Sequence, residues 1–313
     1  MILVLRALGV GDLATGVPAL RAVRAAFPAR TLALAAPTGL TPLIDLIGGV
    51  DRVVPHDAVA GIDAGLPPVG DVEVAVNLHG RGPQSHRLLQ ALEPAKLLAF
   101  ASPAAGHHDG PPWDEEDHEV QRWCRLLRHY GVPADPDDLD LAVPDSPVER
   151  GVTIVHPGAK SPSRRWPVQR YAAVARALAE AGHRVVVTGS AAEREDALRV
   201  AAGAGLSEDR VLRTGLTDLA ALVAHARLMI SGDTGIAHLA TAYRTPSVVL
   251  FGPMPPSRWG PPGSRPYHRS IWHGTRAERG DAPGPGVHPA LLAVGVDEVV
   301  EAVGEAQRHA PAA

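Results

Sequence analysis

The sequence predicts an α/β protein built from two doubly wound, parallel-sheet domains. Apolar, β-rich runs alternate with segments of helical period along the whole chain, which is typical of parallel strands joined by crossover helices. The length of 313 residues is about that of two ordinary domains. The alternation also begins afresh near residue 152, after a stretch rich in proline and aspartate. Because such sheets bind ligands beyond the carboxyl ends of their strands, we expect the two domains to face a central cleft.

The first domain is predicted to cover residues 1–145. Its strands are expected at 2–5, 31–35, 52–55, 72–77 and 95–99, with helices between them. One helix is predicted over 13–27, where Leu20, Val23 and Phe27 recur at helical spacing. Pro28 ends this helix, because proline cannot continue one.

A linker is predicted at 133–150, and the second domain is predicted to cover 146–295. Its strands are expected at 152–155, 184–188, 211–214, 228–231 and 247–251. Its helices are expected at 168–181, 193–202, 219–226 and 236–243. Residues 253–289 are rich in proline and glycine and are interpreted as loop. A C-terminal segment, 296–313, is expected to form a helix that packs back on the first domain.

Composition excludes several classes of protein. Cys124 is the one cysteine, so neither an intrachain disulfide nor a multi-cysteine metal site can form. No apolar run approaches 18 residues, which predicts a cytoplasmic protein without a transmembrane segment and leaves peripheral membrane contact open. The net charge of −4 argues against nucleic acid as a partner.

Asp12 lies where the first strand meets the first helix, behind Gly9 and Gly11. One interpretation is a helix N-cap, which aspartate favours. The other is a general base at the edge of a ligand site, with glycines that let a substrate approach the backbone. A nicotinamide dinucleotide site is disfavoured, because Gly9, Gly11 and Gly16 do not have GxGxxG spacing and no acidic residue follows the second strand.

The turn at 231–238 is a candidate phosphate site. Backbone N–H groups of Thr234, Gly235 and Ile236 would be unpaired at a helix N-terminus, whose dipole also favours an anion. His238, one turn further on, is placed to donate to a phosphate oxygen. Asp233 is open to two roles, as a helix cap or as an acceptor from a sugar hydroxyl.

Two other turns follow strands of the second domain. The first carries Lys160 and Arg164, whose cationic groups suit a diphosphate, although a solvated basic loop has the same composition. The second begins at Thr188 and Gly189 and leads to Glu193. That carboxylate either accepts hydrogen bonds from a ribose or favours a helix N-terminus.

Two acidic segments suggest metal binding only weakly. Residues 107–119 carry histidines and carboxylates without a distinctive ligand spacing, and are interpreted as a solvated loop and helix start. Residues 138–140 read Asp-Leu-Asp within the predicted linker, which we interpret as chance. No metal site is predicted.

Taken together, several segments resemble glycosyltransferase family 9, the ADP-heptose lipopolysaccharide heptosyltransferases. They follow the order of the family's motifs along almost the entire chain. The segments are 11–21 (GDLATGVPALR), 164–167 (RRWP), Glu193, 233–238 (DTGIAH), and 250–253 (LFGP) with 258–260 (RWG).

The resemblance implies the GT-B fold and an inverting, metal-independent transfer of a sugar from a nucleotide diphospho-sugar, with Asp12 deprotonating the acceptor hydroxyl. It implies no cofactor; the donor, ADP-heptose foremost, is a co-substrate. The donor residues that it implies are Lys160, Arg164, Thr188, Gly189, Glu193, Asp233, Thr234, Gly235, Ile236 and His238. The acceptor residues are expected to be Gly11, His79 and Arg81.

The sequence departs from the family in two places. Arg164 stands where the family often has lysine. Residues 77–87 contain two arginines and two histidines but no lysine, whereas members that act on lipopolysaccharide meet an anionic lipid-sugar core with both lysine and arginine. Lipopolysaccharide, another glycan and a small natural product therefore remain open as acceptors. Two other functions remain open, a GT-B-like nucleotide-sugar epimerase and a non-catalytic nucleotide-sugar-binding protein.

Overall fold

The computed structural model describes residues 1–57, 65–275, 281, 284 and 286–311. The chain forms two compact units, Met1–Ala142 and Val143–Ala313. The division between them lies within the predicted linker, 133–150. Each unit contains one parallel sheet with helices between its strands, which confirms the predicted α/β class.

The first sheet has five strands, and every neighbouring pair is parallel. They are β1 (Ile2–Leu5), β2 (Leu32–Ala36), β3 (Arg52–Pro55), β4 (Val74–Asn77) and β5 (Lys96–Leu98). β1, β2 and β4 are buried along their full length, because a parallel sheet covered on both faces needs uninterrupted apolar strands. The order is β3-β2-β1-β4-β5, so the direction of winding reverses between β1 and β4.

The helices of the first unit are α1 (Val10–Thr15), α2 (Val17–Ala26), α3 (Thr41–Ile47), α4 (Gln84–Gln90) and α5 (Glu119–His129). The prediction of a single helix over 13–27 is wrong, because α1 and α2 meet at Gly16. Pro18 lies in the first turn of α2, where a missing N–H costs nothing. A Cβ on Gly16 would lie 2.8 Å from the side chain of Arg6, so the break also makes room for that arginine.

The second sheet has six strands, again all parallel. They are β6 (Thr153–His156), β7 (Val185–Thr188), β8 (Val211–Leu212), β9 (Leu228–Gly232), β10 (Ser247–Leu250) and β11 (His268–Ile271). The order is β11-β10-β9-β6-β7-β8, and the winding reverses between β9 and β6. β11 corrects the interpretation of 253–289 as loop; its polar sequence, His-Arg-Ser-Ile, carries no apolar signal because β11 is an edge strand. Residues 276–280, 282, 283 and 285 of that stretch lie outside the described residues.

The helices of the second unit are α6 (Val168–Glu180), α7 (Arg194–Gly203), α8 (Leu216–Ala224), α9 (Gly235–Ala242), α10 (Pro256–Trp259), α11 (Pro289–Ala293) and α12 (Val296–Arg308). α12 buries Val299, Ala302, Val303 and Ala306 in the core of the second unit, against α6, β10 and β11. α12 thus belongs to the second compact unit, and the packing of the C-terminal segment on the first domain stays a prediction; Ala312 and Ala313 lie outside the described residues. No helix in the described ranges is long and apolar enough to cross a membrane.

Candidate functional site

Asp12 lies in α1, which follows β1 at the point where the first sheet reverses its winding. It is the third residue of the helix, not the N-cap, which is Gly9. The backbone N–H of Gly9 donates to Asp12 Oδ2 at 3.1 Å, so the carboxylate does stabilise the helix start. Asp12 is half-buried. One carboxylate oxygen is engaged in this cap, and Oδ1 accepts no hydrogen bond from the part of the chain that the structure describes, so capping and base catalysis are compatible.

His79 follows β4, the strand on the other side of the same reversal. Its backbone N–H donates to Asn77 Oδ1 at 3.1 Å, which fixes the turn. Its ring Nδ1 is buried without a hydrogen-bond partner among the described residues. Burial, assisted by the nearby positive charge of Arg6 and by His56, lowers the pKa of His79 to about 4. The imidazole is therefore neutral near pH 7, and its buried Nδ1 has hydrogen-bonding capacity that no described residue uses.

The other two predicted acceptor residues are less well placed. Arg81 is exposed, and its Nη1 donates to Glu115 Oε1 at 2.8 Å. Gly11 lies within α1, one residue before Asp12. Of the three, His79 is the residue with a buried side-chain nitrogen that has no partner among the described residues.

In the second unit, the loop after β6 carries Lys160 and Arg164. Lys160 is exposed. The Arg164 side chain is 22% exposed, and its Nη1 donates to the carbonyl oxygen of Asp233 at 3.2 Å. Its Nε lies 2.8 Å from Asp281 Oδ1. Arg164 thus joins the loop after β6 to the turn after β9, on the two sides of the reversal in the second sheet.

The turn after β9 leads into α9, whose N-cap is Thr234 and whose first residues are Gly235 and Ile236. The first N–H groups of a helix have no partner within it. Thr234, Gly235 and His238 are partly exposed, whereas the Asp233 side chain is buried. The ring of His238 lies edge-on to Trp259, with ring centroids 5.9 Å apart. The sequence-predicted phosphate site therefore has the expected helix start.

Glu193 lies after β7 and interacts with the neighbouring strand β6. Its Oε2 accepts from the backbone N–H of Ser190 at 2.8 Å. Burial favours the protonated carboxyl, but the hydrogen bonds from Ser190 and the proximity of His156 and Arg165 hold the pKa of Glu193 below its ordinary value. A Cβ on Gly158 would overlap the Glu193 carboxylate, so the glycine lets this ionised group lie against the loop after β6.

Thr188 and Gly189 differ from each other in exposure. Thr188 is fully buried, and its Oγ1 lies 3.0 Å from Nδ1 of His156. Gly189 lines a pocket of ≈ 480 Å³ between the ends of β7 and β8. Its lining residues are Gly189, Ser190, Ala191, Arg194, Ala197, Val211, Leu212, Arg213, Thr214 and Gly215. This pocket adjoins Glu193, and Gly189 is the one lining residue that the sequence analysis singles out.

The acidic segment 107–119 is only partly as predicted. A helix does begin at Glu119, but Glu119 is buried rather than solvated. Across the described residues, no group of three or more histidine, cysteine, aspartate or glutamate side chains could hold a metal ion.

The sequence profile described as glycosyltransferase family 9 (heptosyltransferase) matches residues 108–280, more than half of the chain. The chain belongs to glycosyltransferase family 9. This family 9 member is 31% identical to lipopolysaccharide heptosyltransferase 2 of Escherichia coli K12 over 153 residues, 46% of this chain and 43% of that protein. It is 32% identical to lipooligosaccharide heptosyltransferase 2 of Haemophilus ducreyi over 213 residues, 58% of this chain and 61% of that protein. The matches thus span about half the length of the curated relatives.

Two solved structures are similar to this chain along almost its whole length. The E. coli ADP-heptose lipopolysaccharide heptosyltransferase II has a TM-score of 0.77 at 22% identity, covering 98% of both chains. TibC of enterotoxigenic E. coli, described as an iron-containing dodecameric glycosyltransferase, has a TM-score of 0.64 at 13% identity, covering 98% of this chain and 76% of that one. These similarities confirm the predicted fold class, GT-B.

Sequence reasoning missed one feature of this family 9 chain that lies directly beneath Asp12. Arg6 is fully buried at the end of β1, where its guanidinium contacts the backbone of Asp12 and the carboxylate of Glu119. The available signal was a charged residue directly after four apolar strand residues. The partner that allows its burial, Glu119, is 113 residues away in the sequence.

Proposed function

We propose that this family 9 member is an inverting, metal-independent glycosyltransferase that moves a sugar, a heptose from ADP-heptose foremost, onto an acceptor hydroxyl. One observation carries the proposal: the candidate base and the candidate phosphate groups each follow the strands at which their own sheet reverses its winding. Ligands of doubly wound sheets bind at that point. The relatives named for heptosyl transfer support the choice of sugar. The expected cytoplasmic location is part of this proposal.

The second unit is proposed to hold the donor. The N-terminus of α9 supplies N–H groups and a favourable dipole to the diphosphate, and Lys160 and Arg164 supply charge. Glu193, ionised and partly exposed, is suited to accept hydrogen bonds from the ribose hydroxyls. The pocket that adjoins it has a volume suited to a nucleobase.

The chemistry requires one displacement. Asp12 takes the proton of the acceptor hydroxyl while the oxygen of that hydroxyl attacks the anomeric carbon of the donor sugar. A carbon–oxygen bond forms on the face opposite the diphosphate, the bond to the diphosphate oxygen breaks, and the nucleoside diphosphate leaves with the electron pair. A single displacement inverts the anomeric configuration. Because negative charge grows on the leaving group, the cations and helix N–H groups stabilise the transition state more than the bound donor, in the role that a metal ion has elsewhere.

The acceptor is proposed to be a hydroxyl-rich glycan or a small natural product with little negative charge. The neutral imidazole of His79 can exchange hydrogen bonds with a hydroxyl. The two arginines of residues 77–87 already have partners: Arg81 pairs with Glu115, and Arg87 donates to the carbonyl oxygen of Ala104 at 2.7 Å. The Glu115 carboxylate offsets the charge of Arg81, and residues 77–87 contain no lysine, which favours an acceptor with little negative charge.

Asp12→Asn tests the proposal, because the amide keeps the helix-capping oxygen and removes the base. With ADP-heptose and an acceptor panel, we expect turnover to fall by about 10²-fold or more, since general bases contribute this much. ADP affinity, measured by calorimetry, should not change. Glu298→Gln is the matched control, since Glu298 makes the same reach-back cap to Gly295 at the start of α12.

The same assay separates the alternatives. Mass spectrometry reports product, and NMR of the new glycosidic bond reports its configuration. Near-normal turnover in Asp12→Asn would reduce Asp12 to a helix cap. Conversion of the sugar without acceptor would indicate an epimerase, and donor binding without product over the whole panel would indicate a binding protein. Loss of activity with EDTA would exclude metal independence.

A further inference from the structure

Arg6 is a charged residue in a place where the fold alone favours an apolar one. It directly follows the buried strand β1, and its relative exposure is 0%. Burying an ion pair is seldom a net gain in stability over well-packed apolar side chains, because desolvation offsets the attraction. A role in geometry explains its presence better than a role in stability, and the partners of its guanidinium show which geometry.

The guanidinium of Arg6 contacts both loops that flank the reversal of the first sheet. Nε donates to the backbone carbonyl oxygen of Asp12, and Nη1 donates to that of Leu78, the residue before His79. Nη2 donates to Thr15 Oγ1 at 2.9 Å. That hydroxyl in turn donates to the Asp12 carbonyl oxygen at 3.0 Å. A planar group with donors in fixed directions therefore ties the base-bearing helix to the His79 loop.

A third element holds the guanidinium from behind. Glu119 Oε1, at the start of α5, lies 3.2 Å from Nη2 of Arg6 and accepts from Trp123 Nε1 at 2.8 Å. Glu119 Oε2 pairs with Arg122. The guanidinium carbon of Arg6 lies 4.9 Å from the centre of the Trp123 ring. Because one face lies over the Trp123 ring and all three nitrogens have hydrogen-bond partners, the group has little freedom to turn.

We propose that Arg6 is a positioning residue whose buried guanidinium, held by Glu119, fixes the Asp12 helix and the His79 loop relative to each other. This inference rests on the proposed function, since it assigns Asp12 the role of base. A carboxylate must lie within hydrogen-bond reach of the acceptor hydroxyl, and displacement by about 1 Å can cost 10²-fold in rate. Arg6 acts on the reaction through Asp12 and touches no substrate itself.

Four variants of the full chain test the proposal. Arg6→Lys keeps the charge but cannot reproduce the planar fork, and Thr15→Val removes one hydroxyl without removing charge. Arg6→Met removes both the charge and the planar fork, and the folded variant is used for the NMR titration described below. Arg24→Met is the matched control: Arg24 lies at the opposite edge of the same sheet, where it donates to the carbonyl oxygens of Gly49 and Arg30 at 2.7 and 2.9 Å and pairs with Asp51.

The steady-state measurement separates positioning from general stability. We expect Arg6→Lys and Thr15→Val to lower kcat by about tenfold or more with the KM for donor unchanged, because the base is displaced and the donor site lies in the other unit. Arg24→Met should keep both parameters. If Arg6→Lys and Thr15→Val fold and match Arg24→Met in kcat, the positioning role is excluded even when Asp12→Asn is inactive. If Asp12→Asn is active, the base assignment fails first, whatever the Arg6 variants do.

A second readout needs no turnover. The charge of Arg6 and the imidazole of His56 both act on His79, so histidine titration by NMR, with His79→Asn to assign the signal, reports whether Arg6 contacts this loop. Burial is the largest cause of the low pKa of His79 and the charge of Arg6 is the second, so Arg6→Met should raise this pKa in part, whereas Arg6→Lys should keep it low. An unchanged His79 pKa in Arg6→Met would contradict the closeness of the Arg6 charge to the His79 loop, which the proposal requires.

Discussion

At the scale of single residues, Gly158 shows how a missing side chain shapes the candidate donor site. A Cβ at this position would overlap the Glu193 carboxylate. Glu193 is the flexible partner of the two, so its carboxylate would move while the backbone stays in place. The sequence allowed two roles for Glu193, at a ribose or at a helix start, and the structure shows the second, because Glu193 caps Ser190. The ribose role remains a proposal.

Gly158→Ala and Glu193→Gln should weaken ADP binding by similar factors. Each removes an ionised acceptor from the same place, and a hydrogen bond to a charged group is worth about 1.5–3 kcal/mol, or about tenfold in affinity or more. The double variant should bind no more weakly than either single one, because the two changes remove one interaction. Calorimetry with ADP measures this. Gly263→Ala, where the structure leaves open space, is the control; a Gly158→Ala protein that binds ADP normally would contradict the role of Glu193.

The cationic residues of the candidate sites differ in how easily they can be recognised from the sequence. Lys160 and Arg164 are recognisable because they follow a strand in a short loop beside tryptophan and proline, a local pattern. Arg6 has no such local pattern. A lone charge after an apolar run indicates the end of a buried strand, and only its distant partners show that the charge itself is buried.

At the scale of elements, the strands of both sheets were the most predictable part. Uninterrupted apolar runs predict buried parallel strands, and the runs around β1, β6 and β9 each start within one residue of the observed strand. The sequence predicts one helix over 13–27, because the apolar periodicity continues through Gly16. What divides it, the side chain of Arg6 beneath Gly16, comes from another element.

The edge strand β11 provides a test of stability against pH. His268 opens the strand and is buried, with Nδ1 2.8 Å from the Ser247 hydroxyl. Burial, together with the nearby charge of Arg265, lowers the pKa of His268 to about 3. The unfolded chain therefore binds this proton more readily than the folded one. Above the ordinary histidine pKa, this difference in proton binding does not change the free energy of unfolding. As the pH falls towards 3, it lowers the free energy of unfolding by about 1.4 kcal/mol per pH unit at most.

His268→Gln should therefore have a flatter dependence of the free energy of unfolding on pH. Glutamine can still bond to the Ser247 hydroxyl but takes up no proton. Urea denaturation at about pH 7.5 and about pH 5 measures the change for each protein. His309→Gln, at an exposed position near the end of α12, should keep the wild-type slope. Equal slopes for His268→Gln and the wild type would show that His268 does not resist protonation in the fold.

At the scale of the whole molecule, each compact unit has its own parallel sheet and its own apolar core. The candidate base belongs to the first unit, and all the candidate donor groups belong to the second. Ligand binding to the candidate donor groups can therefore be measured without an acceptor.

ADP should bind more tightly than UDP or GDP, and adenosine should bind more weakly than ADP. The first comparison tests the pocket beside Glu193, and the second tests the α9 N-terminus with Lys160 and Arg164. Calorimetry on the full chain gives the affinities. Thermal unfolding gives a check, because a ligand at about 100 times its Kd stabilises the folded state by about 2.7 kcal/mol. UDP binding far more tightly than ADP would contradict ADP-heptose as the donor.

The class of fold, most of the strands, the family motifs and their order can all be predicted from the amino-acid sequence alone. These are local properties: apolar runs, glycine–aspartate turns and charged loops lie within a few adjacent residues. Tertiary structure decided the strand orders, and with them which loops become neighbours at the reversals of the two sheets. Tertiary structure also buries Arg6, because its partners Leu78 and Glu119 are 72 and 113 residues away in the sequence. A buried charge is tolerated only where distant groups neutralise and bond to it, and chain folding alone brings them there.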